Sequence, residues 1–289
     1  MNQHPLRPIA ESELQAWAED GVVHLRGLLD QEWVTRMQRA IDHVLAHPSD
    51  HGTDLNSDED GGRFAYDDYM WKFNDDFRAF VFTSPAAKIA ATFLHSQAVN
   101  LLYNFFLVKE PHTPTRTNWH HDLPANPVEG PACGLWVSLD HIAAESGAVQ
   151  WARGSHKWGK RFNPVGSGVG KTHRRAPIAP GLEPTPSIAG HPEDYDIVSF
   201  DTEPGYILVT HLLTCHGAPG NATDRRRRAF GVRYAGDGST YAVRTDVTFN
   251  IKPIADPGLA HGDPFPGDPD HFVFPRVLPR RAKDSDPAA

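Results

Sequence analysis

The stretch PGYILVTHLLTCHGAPGNATDRRRRAFGVRY, residues 204–234, decides the fold. Residues 207–213 and 229–234 are rich in β-branched and aromatic side chains and read as strands; the segment between them is dense in Gly, Pro, Asn and Asp, the residues that turn a chain. Outward from this pair the same texture recurs, with candidate strands at 99–108, 117–121, 134–140, 148–151, 197–200 and 247–251. Many short strands separated by Gly/Pro-rich turns predict a mainly β domain of two sheets, a jelly roll of the cupin kind.

The remaining chain flanks that core. Residues 1–97 read as mainly helical. Ser12 is placed to cap a helix that stops at Gly21, residues 22–26 alternate like a short strand, and Asp30 is placed to cap a second helix. Val34, Met37, Ile41, Val44 and Leu45 form the buried stripe of that helix. Ser84-Pro85 starts another helix, with Ile89, Phe93 and Leu94 facing the core. Residues 54–77 are acidic and aromatic. They read as a solvated surface loop, or alternatively as a lid or substrate-facing segment. The expected organisation is one domain. Its mainly helical N-terminal region covers residues 1–97, and a jelly-roll core covers 98–252, with an insertion at 159–196 too long for a turn. A tail, 253–289, wraps the surface or stays mobile.

Composition narrows the function. A chain of 289 residues buries a sizeable core without disulfide staples, so Cys133 and Cys215 read as reduced, part-buried thiols of a cytoplasmic protein. The N-terminus lacks a secretion-signal pattern, and no apolar run approaches the ~20 residues that cross a bilayer. The net charge of −8 disfavours a nucleic-acid partner. The segment GSGVGKT, residues 166–172, imitates a phosphate loop, but Val165 stands where the first glycine belongs, so nucleotide binding is disfavoured. A lid with glycine hinges fits better, with Lys171, His173, Arg174 and Arg175 facing an anionic substrate or simply solvent. Asn221-Ala-Thr reads as a turn.

Residues 117–122, TNWHHD, carry the chemistry. Side chains two apart on a strand share a face, so His120 and Asp122 present an imidazole and a carboxylate together. His216, at the end of the 207–213 strand, is the best third ligand; His121 and His211 remain alternatives. Two histidines and one carboxylate make the facial triad of non-heme iron(II) oxygenases, whereas Cys215 faces the other way. Arg227 follows on the next strand, where a planar guanidinium grips a carboxylate bidentately. Alternation puts Arg225 and Arg227 on one face and Arg226 and Arg228 on the other, unless all four are turn residues.

Taken together, AEDGVVHLRGLLDQEWV, YNFFLVKEP, TNWHHDLP, LWVSLDHIAAESGAVQWARGSHKWG and the opening stretch resemble the phytanoyl-CoA dioxygenase family of double-stranded β-helix oxygenases. The resemblance implies Fe(II), 2-oxoglutarate and O2 as cofactor and cosubstrates, with iron on His120, Asp122 and His216. It further implies that Arg227 anchors 2-oxoglutarate, that Lys109 lies near it, that Trp136 lines its pocket, and that His211 supports the site. One departure is Ala218, where the family often has a serine that helps hold 2-oxoglutarate. Asp122 disfavours halogenation, which needs a small residue there. The expected reaction is hydroxylation of an unactivated C–H bond of a small molecule, with release of succinate and CO2. Desaturation, epimerisation or cyclisation with the same cofactors is the alternative, followed by another cupin-type metalloenzyme or a non-catalytic binding protein.

Overall fold

The computed structural model describes residues 1–56, 62–165, 177–247 and 249–280. In chain order the elements are α1 (Glu11–Asp20), β1 (Val22–Leu25), α2 (Gln31–Ala46), β2 (Thr53–Asp54), β3 (Phe64–Asp68), α3 (Asp75–Thr83), α4 (Ala86–Phe93), β4 (Val99–Lys109) and β5 (Thr117–His120). There follow β6 (Val128–Glu129), β7 (Ala132–Ser138), β8 (Gln150–Ala152), β9 (Ile197–Ser199), β10 (Ile207–His211), β11 (His216–Ala218), β12 (Arg227–Ala235), β13 (Thr240–Tyr241) and β14 (Arg276–Leu278).

A major antiparallel sheet runs β1-β10-β7-β12-β4-β3-β2, with β14 added to β4; a minor sheet runs β5-β11-β8-β9, and β6 pairs β13. The expected two-sheet, mainly β architecture is present. Alternation divides the major sheet between two jobs. Val209, Leu135, Val137, Phe230, Val232 and Phe106 join one core with Trp33, Phe80 and Ile89 from the helices. The alternate residues Arg227, Ala229, Gly231 and Arg233 are left for the opposite face, toward the minor sheet.

Local predictions fared unevenly. Asp30 caps α2 by accepting from the Trp33 N–H at 2.9 Å, and Val34, Met37, Ile41 and Val44 are buried as expected. Ser12 does not cap α1: it lies inside the helix, and Glu13 reaches back to the Ala10 N–H at 2.8 Å. Gly21 ends α1 at φ 78°, a left-handed conformation that glycine adopts without a Cβ clash. The described residues of 54–77 are not all loop. They hold β3, which pairs β4, and lead into α3, whose start is capped by Asn74. The strand expected at 247–251 does not form among its described residues. The tail adds β14 and buries Val273 and Phe274, so it wraps the surface through residue 280. Cys133 and Cys215 are buried and unpaired with each other. Residues 166–176, with the lid hypothesis built on them, lie outside the described residues, as do residues 281–289 of the tail.

Candidate active site

His120 closes β5 and His216 opens β11, and the two are direct partners across the antiparallel pair. Their rings stand 4.3 Å apart. Each Nδ1 lies within hydrogen-bond reach of the carbonyl two residues before it: Asn118 at 2.7 Å for His120 and Thr214 at 3.0 Å for His216. That contact assigns the proton to Nδ1 and leaves Nε2 as the free donor, the usual support of a metal-binding imidazole. Asp122 Oδ1 lies 3.5 Å from His120 Nε2 and 3.9 Å from His216 Nε2. The three ligand atoms all fall within 4.8 Å of one another.

Asp122 reaches this position by another route than strand alternation. β5 stops at His120; Asp122 has helical angles (φ −81°, ψ −35°) and begins a short 3-10 turn, Leu123–Ala125. The N–H groups of Asp122 and Leu123 both donate to the Leu212 carbonyl at 2.8 Å, which pins the turn. His216, likewise, is not the end of β10 but the start of a separate strand in the other sheet. The intervening turn carries the chain from one sheet to the other.

A second arginine completes the carboxylate. Arg233, buried on β12, donates from Nε at 3.1 Å and Nη2 at 2.7 Å to Asp122 Oδ2. Burial alone would raise the Asp122 carboxyl; Arg233 and the two histidines hold it well below the usual carboxylate range. Sequence reading overlooked Arg233, although strand alternation continued from Arg227 through Ala229 and Gly231 points to it. Room for it comes from its cross-strand partner Gly134, where a Cβ would lie 2.5 Å from Arg233 Nη1.

The triad opens on a cavity of about 580 Å³ lined by both sheets. Arg227 and Trp136 line it too, with the guanidinium 5.1 Å from the indole. Arg227 is fully buried. Its Nη2 donates to the Gly147 carbonyl at 2.9 Å, while Nε and Nη1 have no hydrogen-bond partner among the described residues. Burial lowers its pKa to about 10, so it remains a cation at neutral pH. Alternation applies only from Arg227, where β12 begins: Arg228 turns away to Asp42 and Asp140, while Arg225 and Arg226 lie in the turn before the strand, Arg225 exposed and Arg226 paired with Asp42 and Glu110. Lys109 stands opposite Arg227 across β4–β12 and is buried, but its Nζ donates to the Pro219 carbonyl and it does not line the cavity.

The alternative histidines are engaged elsewhere. His121 lines the cavity, yet its Nε2 accepts from the Phe162 N–H at 2.7 Å. His211 Nδ1 accepts from the Leu213 N–H at 3.1 Å, and the ring packs against Trp17 and His156. Cys215 is buried with Ala152 and Phe162. The 54–77 segment and the 159–196 insertion both send residues to the cavity, Leu55, Tyr66 and Asp68 from the first and Pro164 and Val165 from the second, and Ala125 and Asn126 join them. The wall from Phe249 to Ile254 went unforeseen, because its sequence reads as a strand or tail.

The donors present, two imidazole nitrogens and one carboxylate oxygen beside an open cavity, fit a mononuclear iron(II) site. Comparison with known proteins bears on the same point. The sequence profile described as Phytanoyl-CoA dioxygenase (PhyH) matches residues 17–229. The chain belongs to the phytanoyl-CoA dioxygenase family. That membership carries with it the class of non-heme iron, 2-oxoglutarate-dependent oxygenases. The chain is 25% identical over 269 residues to phytanoyl-CoA dioxygenase domain-containing protein 1 of Bos taurus, covering 77% of this chain and 88% of that one. Its fold is similar to that of SnoK, a non-heme α-ketoglutarate-dependent carbocyclase from nogalamycin biosynthesis (TM-score 0.72, 21% identity, 96% of this chain and 100% of that one). It is also similar to the epimerase SnoN in complex with Fe3+, α-ketoglutarate and nogalamycin RO (TM-score 0.72, 23% identity, 92% and 98%). No helix among the described residues is long and apolar enough to cross a membrane.

Proposed function

We propose that the protein is a cytoplasmic enzyme that holds Fe(II) on His120, Asp122 and His216, binds 2-oxoglutarate through Arg227, and oxidises an unactivated C–H bond of a small molecule. Hydroxylation with release of succinate and CO2 is the leading outcome. The observation that carries the reading is the meeting, in one cavity, of the ligand cluster and a buried guanidinium with two unused donors. A carboxylate is the natural partner for such a fork, and a buried cation without an anion is costly.

Bound iron and 2-oxoglutarate together supply the oxidant from O2. The chain's residues do the rest. The two Nδ1–carbonyl contacts aim the imidazoles, Arg233 presents Asp122 Oδ1, and Arg227 with Trp136 forms one end wall. Apolar side chains such as Phe105, Leu107, Val149 and Trp151 around the triad limit water. Lys109, buried opposite Arg227 with its Nζ on the Pro219 carbonyl, braces the turn behind the cosubstrate end and does not contact the cosubstrate directly.

Cyclisation or epimerisation is a second reading, favoured by the named activities of the fold neighbours, a carbocyclase and an epimerase. The first test is a visible difference spectrum of anaerobic apo-protein given Fe(II) and then 2-oxoglutarate. A charge-transfer band that needs both additions, vanishes in His216→Ala and weakens in Arg227→Ala is expected. Its absence with metal bound would overturn the 2-oxoglutarate assignment. Once a substrate is in hand, product mass separates hydroxylation (gain of one oxygen) from cyclisation (loss of two hydrogens) and epimerisation (no change).

A further inference from the structure

We propose that the substrate is a ring-bearing molecule with a basic nitrogen, protonated at neutral pH, and that Asp68 receives that ammonium group. This rests on the cavity being the oxygenase site proposed above. Charge accounting leads to it. Among the described residues, the charged side chains lining the cavity, histidines apart, are Asp68, Asp122, Arg227, Arg233 and Lys252. Asp122 and Arg233 neutralise each other. Arg227 is matched to the cosubstrate carboxylate. Lys252 is exposed. Asp68 is left as an inward carboxylate with no lysine or arginine of the described residues bonded to it; its one cationic neighbour there, when protonated, is the His51 ring at 3.0 Å.

Its geometry differs from that of its neighbour. Asp67 points to the other face of β3 and is satisfied there by the Ser49 N–H at 3.0 Å and hydroxyl at 2.6 Å, so its role is structural. Asp68 is satisfied on one side only. Its Oδ2 accepts from the Tyr66 hydroxyl at 2.8 Å. Its Oδ1 is shielded from solvent without an aligned hydrogen bond; His51 Nδ1 lies 3.0 Å away, off the hydrogen-bond direction. Burial pushes the Asp68 carboxyl above its ordinary value, against the opposing effects of the Tyr66 hydroxyl and the His51 ring.

The walls around it suit the rest of such a molecule. Tyr66, Asp68 and the β4 residues Phe105 and Leu107 share the inner face of the sheet, with Asp68 opposite Phe105 and Tyr66 opposite Leu107. Phe105 stacks with Tyr103 at 5.6 Å and lies 6.0 Å from Tyr66. Flat aromatic walls accept a ring, and their faces attract a cation.

The test is calorimetric titration of the anaerobic Fe(II)·2-oxoglutarate enzyme with benzyl-, 2-phenylethyl- and 2-naphthylmethyl-ammonium chlorides, each beside the alcohol of the same skeleton. At least one ammonium should bind about tenfold or more tighter than its alcohol, and Asp68→Asn should cut that ratio to about twofold or less. Alcohols binding as well as ammoniums throughout, binding by none of the probes, or a ratio that survives Asp68→Asn would each overturn the proposal. Should Asp68→Asn not fold, Asp68→Ser replaces it, and the wild-type ratio alone can still overturn the idea. The charge-transfer band read in the same samples keeps the two readings apart. A missing band with the ammonium preference intact sinks the cofactor assignment and leaves this one standing; the reverse result does the opposite.

Discussion

Arg233 and Asp122 meet through a single carboxylate oxygen: both guanidinium contacts, at 3.1 and 2.7 Å, go to Oδ2. Oδ1, the oxygen nearer the two imidazoles, is thereby left to a metal. The pair is buried on both sides, at 8% and 10% side-chain exposure. Arg233→Gln should therefore weaken metal binding about ten- to a hundredfold, as loss of a ligand-orienting partner does. Chelator competition with Co(II) measures this, and Arg233→Lys should restore part of the loss. In the metal-free protein, Arg233→Ala should cost about 3–5 kcal/mol by leaving a buried carboxylate alone. Unchanged affinity and stability would show that Asp122 needs no such partner.

Gly134→Ala tests the same relationship from the neighbouring strand. The new methyl would sit 2.5 Å from Arg233 Nη1 and 2.8 Å from its Cζ, while the Phe105 ring, 4.9 Å from the guanidinium, limits retreat. Metal affinity should fall by about tenfold although no ligand is touched. Wild-type affinity in this variant would mean the arginine has somewhere else to go.

Arg227→Ala should raise the 2-oxoglutarate concentration needed for half-saturation of the charge-transfer band by about ten- to a hundredfold, the worth of hydrogen bonds to a charged group. Iron binding should stay near wild type, because Arg227 touches no ligand. Arg227→Lys should recover less than full affinity, since a point charge does not reproduce the fork. An unshifted half-saturation point would place the anchor elsewhere.

His24 supplies a pH prediction away from the metal site. Its ring packs between Phe200 and Tyr206, and burial lowers its pKa from 6.5 to about 4. The folded state thus prefers the neutral ring. This contribution is full above pH 6.5 and is lost as pH falls from 6.5 toward 4, where the unfolded chain takes up the proton first. Urea midpoints should drop across that window in the wild type, and less steeply in His24→Phe. Parallel pH profiles for the two proteins would rule out His24 as a contributor.

Short patterns carried much of the fold and the site. Strand texture located β4, β7, β8, β9, β10 and β12, and alternation from Arg227 to Arg228 separates the inward from the outward guanidinium, although Arg225 and Arg226 precede the strand. These succeed because a strand's side-chain period is a local property of the backbone. The acidic stretch 54–77 reads as a surface loop or a substrate-facing segment because its charge masks the strand at Phe64–Asp68. Asp67 and Asp68 are both on β3, one bonded to Ser49 and one facing the cavity, and burial of carboxylates is invisible without their partners.

By itself the sequence determined the chemistry available: which residues bear imidazole, carboxylate and guanidinium groups, and the strand pattern that would hold them. Only the tertiary structure decided how they meet. The β5–β11 pairing sets His120 against His216, and the Leu212 carbonyl bends Asp122 off the strand to join them. The passage of Arg233 over Gly134 settles which carboxylate oxygen is free. Those contacts join residues about a hundred positions apart, and their geometry follows from sheet register and the packing of two layers, which no local pattern encodes.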